Sequence, residues 1–169
     1  MITTEQIKTL RDQTGVSVMQ CKKALEDAGG DMEKALAFLR EKSKEIAGKK
    51  SDRALGAGHV AAYVHNTGTV GAMVELVSET DFVSKNDDFK ALARDIAIHV
   101  VASNVKYVRA SLVPTGMEEI EKTEGTILVD QPFFKNPDVT IQGLIDAAIQ
   151  KFGERIELTR FSKFSVLEG

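Results

Sequence analysis

His59–Val77, HVAAYVHNTGTVGAMVELV, holds two apolar runs that alternate around Asn66, Thr67 and Gly68. Val60, Ala62 and Val64 on one side answer Val70, Ala72, Val74 and Leu76 on the other. Period-two alternation about a glycine-bearing turn predicts a β-hairpin. Downstream the period changes. In DDFKALARDIAIHVVAS, residues Phe89, Leu92, Ile96 and Val100 recur at helical spacing behind a cap at Asn86 or Asp87, which predicts a buried helix. A hairpin that hands its apolar residues to a helix implies an α+β unit.

Further along, PTGMEEIEKTEGTILVDQPFFKNPD reads as a charged helix around Glu118 to Lys122, a short apolar run and a loop holding Pro132 and Pro137. Thr140 then caps IQGLIDAAIQKF, apolar at Ile141, Leu144, Ile145, Ala148 and Ile149, and Gly153 stops it. The tail RIELTRFSKFSVLEG alternates as a strand and changes phase near Arg160, the mark of a bulge or of a strand covered on both faces.

Before the hairpin the pattern is helical. Thr3 with Gln6 and Ser17 with Gln20 have capping-box spacing, Asp31 caps a third segment, MEKALAFLREKSKEI, and Gly15 and the Gly29–Gly30 pair supply stops. Three helices this short need mutual packing, which predicts a bundle. From Glu41, EKSKEIAGKKSDRALGAG turns basic and then small, as a helix end entering a linker does. The expected organisation is a three-helix domain at 1–52 and an α+β core at 53–169, a small antiparallel sheet packed with helices.

The chain has 169 residues, 43% of them hydrophobic and 28% charged, with no apolar run near the ~18 residues of a membrane span. The start MITTEQIKTL lacks the layout of a signal or transit peptide, so a cytoplasmic, membrane-free protein is expected. A net charge of −3 argues against general affinity for nucleic acid. Lys42, Lys44, Lys49, Lys50 and Arg53 are basic but have no aromatic platform beside them, and they read as a solvated helix end.

Reaction chemistry is hard to find. Gly48-Lys49-Lys50-Ser51 lacks the glycine that a phosphate loop needs five positions before its Gly-Lys pair; position 43 is Ser. Gly56-Ala57-Gly58 precedes a strand instead of joining a strand to a helix, so it reads as linker. Cys21 is the only cysteine. Lys22 and Lys23 beside it would activate the thiol mildly, whereas burial would leave it a small inert core residue. His99, within IAIHVV, reads as a hydrogen-bonded core histidine, and the three histidines have no metal-ligand spacing. No catalytic centre, cofactor or metal is expected.

Phe82 remains, an aromatic among carboxylates and hydroxyls in SETDFVSKNDDF. It either folds onto its own sheet or is offered to another molecule. ETDFVSKNDDF, together with TGVSVMQCKKALEDAGGDMEKA, IAIHVVAS and DQPFFKNP before TIQGLI, resembles the translation elongation factor Ts family in order and spacing. The resemblance implies a non-enzymatic guanine nucleotide exchange factor for elongation factor Tu, the GTPase that delivers aminoacyl-tRNA, binding it with GDP and empty. It implies a UBA-like N-terminal bundle. It also implies that Phe82, in the turn Thr80, Asp81, Phe82 and Val83, enters a pocket of the GTPase and disturbs its magnesium and phosphate site, with Asp81 seating the turn. Val18, Met19, Cys21 and Lys22 would make the N-terminal contact, Val18 being smaller than the residue common there. Longer relatives have two related core subdomains and this chain has room for one, so a homodimer joined through sheet edges or apolar faces is expected.

Overall fold

Side-chain oxygens start the first three helices. The structure, a computed structural model, describes residues 1–168. Thr3 and Ser17 each close a capping box with Gln6 and Gln20, and Asp31 accepts from the amides of Glu33 and Lys34. Such caps contribute about 1 kcal/mol each. They open α1 (Thr4–Thr14), α2 (Val18–Asp27) and α3 (Met32–Lys49). Gly15 ends α1 at φ 68°, a left-handed turn that a Cβ would strain. The three helices bury Leu10, Val16, Cys21, Leu25, Ala35 and Leu39 in one shared cluster.

The third helix runs further than the sequence suggests. The segment MEKALAFLREKSKEI predicts a helix to Ile46, and α3 continues three residues more, to Lys49. Surface pairs Lys44–Glu41 at 3.1 Å and Lys49–Glu45 at 2.6 Å line its polar side. Ser43 is buried, and Ile46 and Ala47 pack against the second core. That tertiary burial keeps the last turns helical.

The second core is built on β1 (Ala57–Val64), β2 (Val70–Ser78) and β5 (Ile156–Ser165), an antiparallel sheet of order β1-β2-β5. A single turn, α4 (Asp81–Ser84), and α5 (Asp87–Ala102) lie against β1 and β2. Asn86 is the cap of α5, its side chain accepting from the amide of Asp88 at 2.9 Å. Then come α6 (Glu118–Thr123), β3 (Pro132–Phe133), β4 (Asn136–Thr140) and α7 (Ile141–Phe152), which packs on α3. Phe89, Ile96, Val100, Leu128, Ile141, Ile145, Leu76 and Leu158 form the centre, each 2% exposed or less.

Two expectations are corrected here. The hairpin forms, but β1 turns the other face inward. Ala61 pairs with Val74 and Tyr63 with Ala72 on the helix side, while Val60, Ala62 and Val64 oppose Glu75, Met73 and Gly71 on the outer side. Phase was ambiguous because both faces of β1 carry apolar residues, and α5 selected the smaller set. The loop expected around Pro132 and Pro137 is instead the short β3–β4 hairpin, with Phe133 buried under it. The phase change in the tail is a bulge: Glu75 faces Arg160 and Leu76 faces Leu158, leaving Thr159 over.

Candidate functional site

Ser78 ends β2 and fixes the start of the turn beyond it. Its buried hydroxyl donates to the carbonyl of Thr80 at 2.9 Å. Thr80 is the N-cap of α4, and the turn is closed by the amides of Ser84 and Lys85, which donate to the carbonyls of Thr80 and Asp81. Val83 and Ser84 point into the core, 7% and 5% exposed. Phe82 points the other way. At 88% it is far more exposed than any buried aromatic of the core. On a helical turn, neighbours about 100° apart in direction cannot all face inward, so anchoring by Val83 and Ser84 turns Phe82 out.

The polar surroundings brace the turn. Lys85 donates to Asp81 at 2.7 Å, and this hydrogen-bonded ammonium holds the Asp81 carboxyl below the usual carboxylate range. Thr80 is bound by Glu154, its amide at 2.9 Å and its hydroxyl at 2.5 Å from the two carboxylate oxygens. Nothing in the sequence pointed to Glu154. It lies 74 residues away, and only tertiary folding brings it near.

On α2, Val18 is 50% and Met19 80% exposed, and Lys22 reaches Glu26 at 3.8 Å on the surface. Cys21 is different. Its side chain is fully buried, with its sulfur 3.9 Å from both the Val16 carbonyl and the Thr14 hydroxyl. Burial pushes the thiol up, against weaker opposing pulls from Thr14 and Arg11, so activation by the flanking lysines does not occur. Thr80, Asp81 and Phe82 are exposed at one place with Val83 buried beneath them; Val18, Met19 and Lys22 are exposed at another, on α2, whose buried Cys21, Ala24 and Leu25 belong to the separate N-terminal cluster.

His99 is the core histidine the sequence implied. It is 4% exposed, its Nε2 lies 2.9 Å from Gln131 Oε1, and burial pushes its imidazole down despite that hydrogen bond. Among the described residues no group of three or more His, Cys, Asp or Glu is arranged to hold a metal, and no helix is long and apolar enough to cross a membrane. A cavity of about 610 Å³ lies between α3 and the β4–α7 corner, lined by residues such as Leu36, Arg40, Lys44, Val139, Leu144 and Asp146, with Phe82 outside its lining. The arrangement around Phe82 is an exposed aromatic ring on a short turn braced by Asp81, Lys85 and Glu154.

Comparison with known proteins gives a consistent pattern. A family model described as Elongation factor TS matches residues 3–124. Elongation factor Ts of Heliobacterium modesticaldum is 43% identical, in an alignment covering the whole chain and 92% of that protein. Those of Carboxydothermus hydrogenoformans and Acetivibrio thermocellus are 41% and 40% identical, again over the whole chain and 91% and 92% of theirs. Each alignment runs over 197 positions against a chain of 169 residues, so at least 28 positions of these relatives have no counterpart here.

Proposed function

The chain belongs to the elongation factor Ts family and so has a role in translation elongation; from that premise we propose that it speeds the release of GDP from elongation factor Tu by offering Phe82 to that GTPase. The observation that carries this reading is a phenylalanine 88% exposed on a turn whose neighbours Val83 and Ser84 are buried. An apolar ring held outward by its own scaffold is prepared for a partner's pocket. Thr80 and Asp81 would seat the turn, Phe82 would enter and disturb the magnesium and phosphate site, and Val83 would anchor it from behind.

Exchange is a linkage problem. A factor that binds the empty GTPase more tightly than the GDP form must weaken GDP by the same ratio. Burying one Phe gives about 1.5–3 kcal/mol, at most ~150-fold. Any larger weakening of GDP binding needs a second contact that favours the same state. Val18, Met19 and Lys22 on the exposed start of α2 are suited to supply it, with Cys21 acting beneath them as packing.

The proposal extends to organisation. The UBA-like unit at 1–52 and the core at 53–169 would grip the GTPase at two places, in the cytoplasm, with no cofactor and no covalent chemistry of the chain's own. Two chains would associate through their cores. The outer sheet face supports this: Val60, Val64, Met73 and Phe164 are 56%, 66%, 52% and 77% exposed there. A stopped-flow measurement of fluorescent GDP leaving elongation factor Tu tests the central reading. Phe82→Ala is expected to lower the maximal release rate about tenfold or more, with the melting temperature unchanged because the ring is exposed. Undiminished release with Phe82→Ala refutes the role of the ring.

A further inference from the structure

Two neighbouring pairs of residues hold each other by exchange. The Glu154 carboxylate takes the amide and hydroxyl of Thr80, at 2.9 and 2.5 Å. In return Glu79, beside Thr80, takes the amide of Arg155, beside Glu154, at 2.6 Å. The Arg155 guanidinium donates to the carbonyl of Arg53 at 2.7 Å and to Glu157 at 2.6 Å, and the Arg53 guanidinium lies 3.5 Å from Glu79. Lys50 donates to the carbonyl of Gly153 at 3.0 Å. The segment after α3, the β2–α4 junction and the α7–β5 corner therefore meet in one clasp.

Thr80 is exposed, yet its amide, hydroxyl and carbonyl are all engaged. A threonine at an N-cap ordinarily gives its oxygen to an amide of the helix it starts. Here no side-chain cap exists, and the hydroxyl is directed to Glu154 instead. A four-residue turn cannot sustain itself. Val83 and Ser84 hold its far end in the core, and the clasp holds its near end, two residues before Phe82.

We propose that Glu154 is a positioning residue for Phe82, fixing the angle at which α4 leaves the sheet so that the ring is presented before any partner arrives. This role rests on reading Phe82 as the group offered to elongation factor Tu. When a binding-competent state is only partly populated, apparent affinity falls by that fraction, while the bound complex is unchanged. Loss of the clasp should therefore raise the concentration of factor needed for half-maximal GDP release and leave the plateau rate intact. Loss of the ring lowers the plateau itself.

The test uses the full chain with Glu154→Ala, Glu154→Gln, Thr80→Val and Phe82→Ala. Amide exchange of Thr80 in the free protein and the concentration dependence of fluorescent GDP release from elongation factor Tu are measured together. For Glu154→Ala the Thr80 amide is expected to exchange on the order of tenfold faster and the half-maximal concentration to rise by a similar factor, at an unchanged plateau. Glu154→Gln, whose remaining oxygen can still accept the amide, recovers part of both. Thr80→Val removes only the hydroxyl arm at an exposed position; because Thr80 belongs to the turn offered to the partner, this variant is read by amide exchange in the free chain alone, where position 80 should again exchange faster even if Glu154→Ala fails to fold. The proposal is overturned if Thr80 exchange is unaltered, or if the half-maximal concentration is unaltered while Phe82→Ala impairs release. If Phe82→Ala is itself without effect, the reading of the ring has failed, and Thr80 exchange in the free chain alone decides whether Glu154 holds the turn.

Discussion

Cys21 shows how one residue's chemistry is set by its depth. Two lysines come directly after it in sequence, but the thiol faces Thr14 and Val16 inside the bundle and burial pushes it up. Thiolate is the reactive form, so a neutral buried sulfur is inert. Native protein treated with a maleimide should react at least about tenfold more slowly than the chain unfolded in guanidinium, because access requires local opening. Equal rates would mean that the bundle leaves the sulfur open. Phe82 is the opposite case, an apolar side chain left outside because its neighbours along the turn took the inward directions. Composition around Phe82 hinted at exposure, but the hint became geometry only through the anchoring of Val83 and Ser84.

Elements pack where polar groups can be accommodated, and the α3–α7 contact shows the strain of doing so. Ser43 donates to Gln150 Oε1 across it, Gln142 donates to Asp146 at 2.8 Å, and Lys44 stands near. Asp146 is 6% exposed, and burial pushes its carboxyl up, beyond what Gln142 and Lys44 pull down. Its proton is therefore held more tightly folded than unfolded. The ionised form begins to cost stability as pH rises above the ordinary aspartate value of about 3.9, and the cost is complete above the folded value. Asp146→Asn should raise the melting temperature at pH 7 by about 2–4 °C, the change that ~1 kcal/mol makes in a domain of this size. Near pH 3 the gain should vanish, since both states then carry the proton. Differential scanning calorimetry at the two pH values checks the sign.

For the whole molecule the outer face of the sheet is where the proposed dimer is tested. Met73 sits at the middle strand with Ala62 and Ser162 on either side, and Gly71 pairs with Val64 and Phe164. Sedimentation at micromolar concentration should give twice the 18.4 kDa of one chain. Met73→Lys places a charge at the centre of that face and should return the mass to one chain with helix content unchanged. A single-chain mass for the unsubstituted protein removes the dimer.

Hydrogen bonds that close within three residues were legible in the sequence: the boxes at Thr3 and Ser17 and the caps at Asp31 and Thr140 need only local spacing, and the cap of α5 was narrowed to Asn86 or Asp87, of which the structure has Asn86. Helical periods and the family motif around Phe82 were legible for the same reason. The inward face of β1, the full length of α3 and the grip of Glu154 on Thr80 were not. Each depends on a partner far along the chain: α5 against β1, α7 against α3, and a carboxylate 74 residues from its donor. Local chemistry chose the elements; burial against distant neighbours chose their faces, their ends and the direction in which one phenylalanine points.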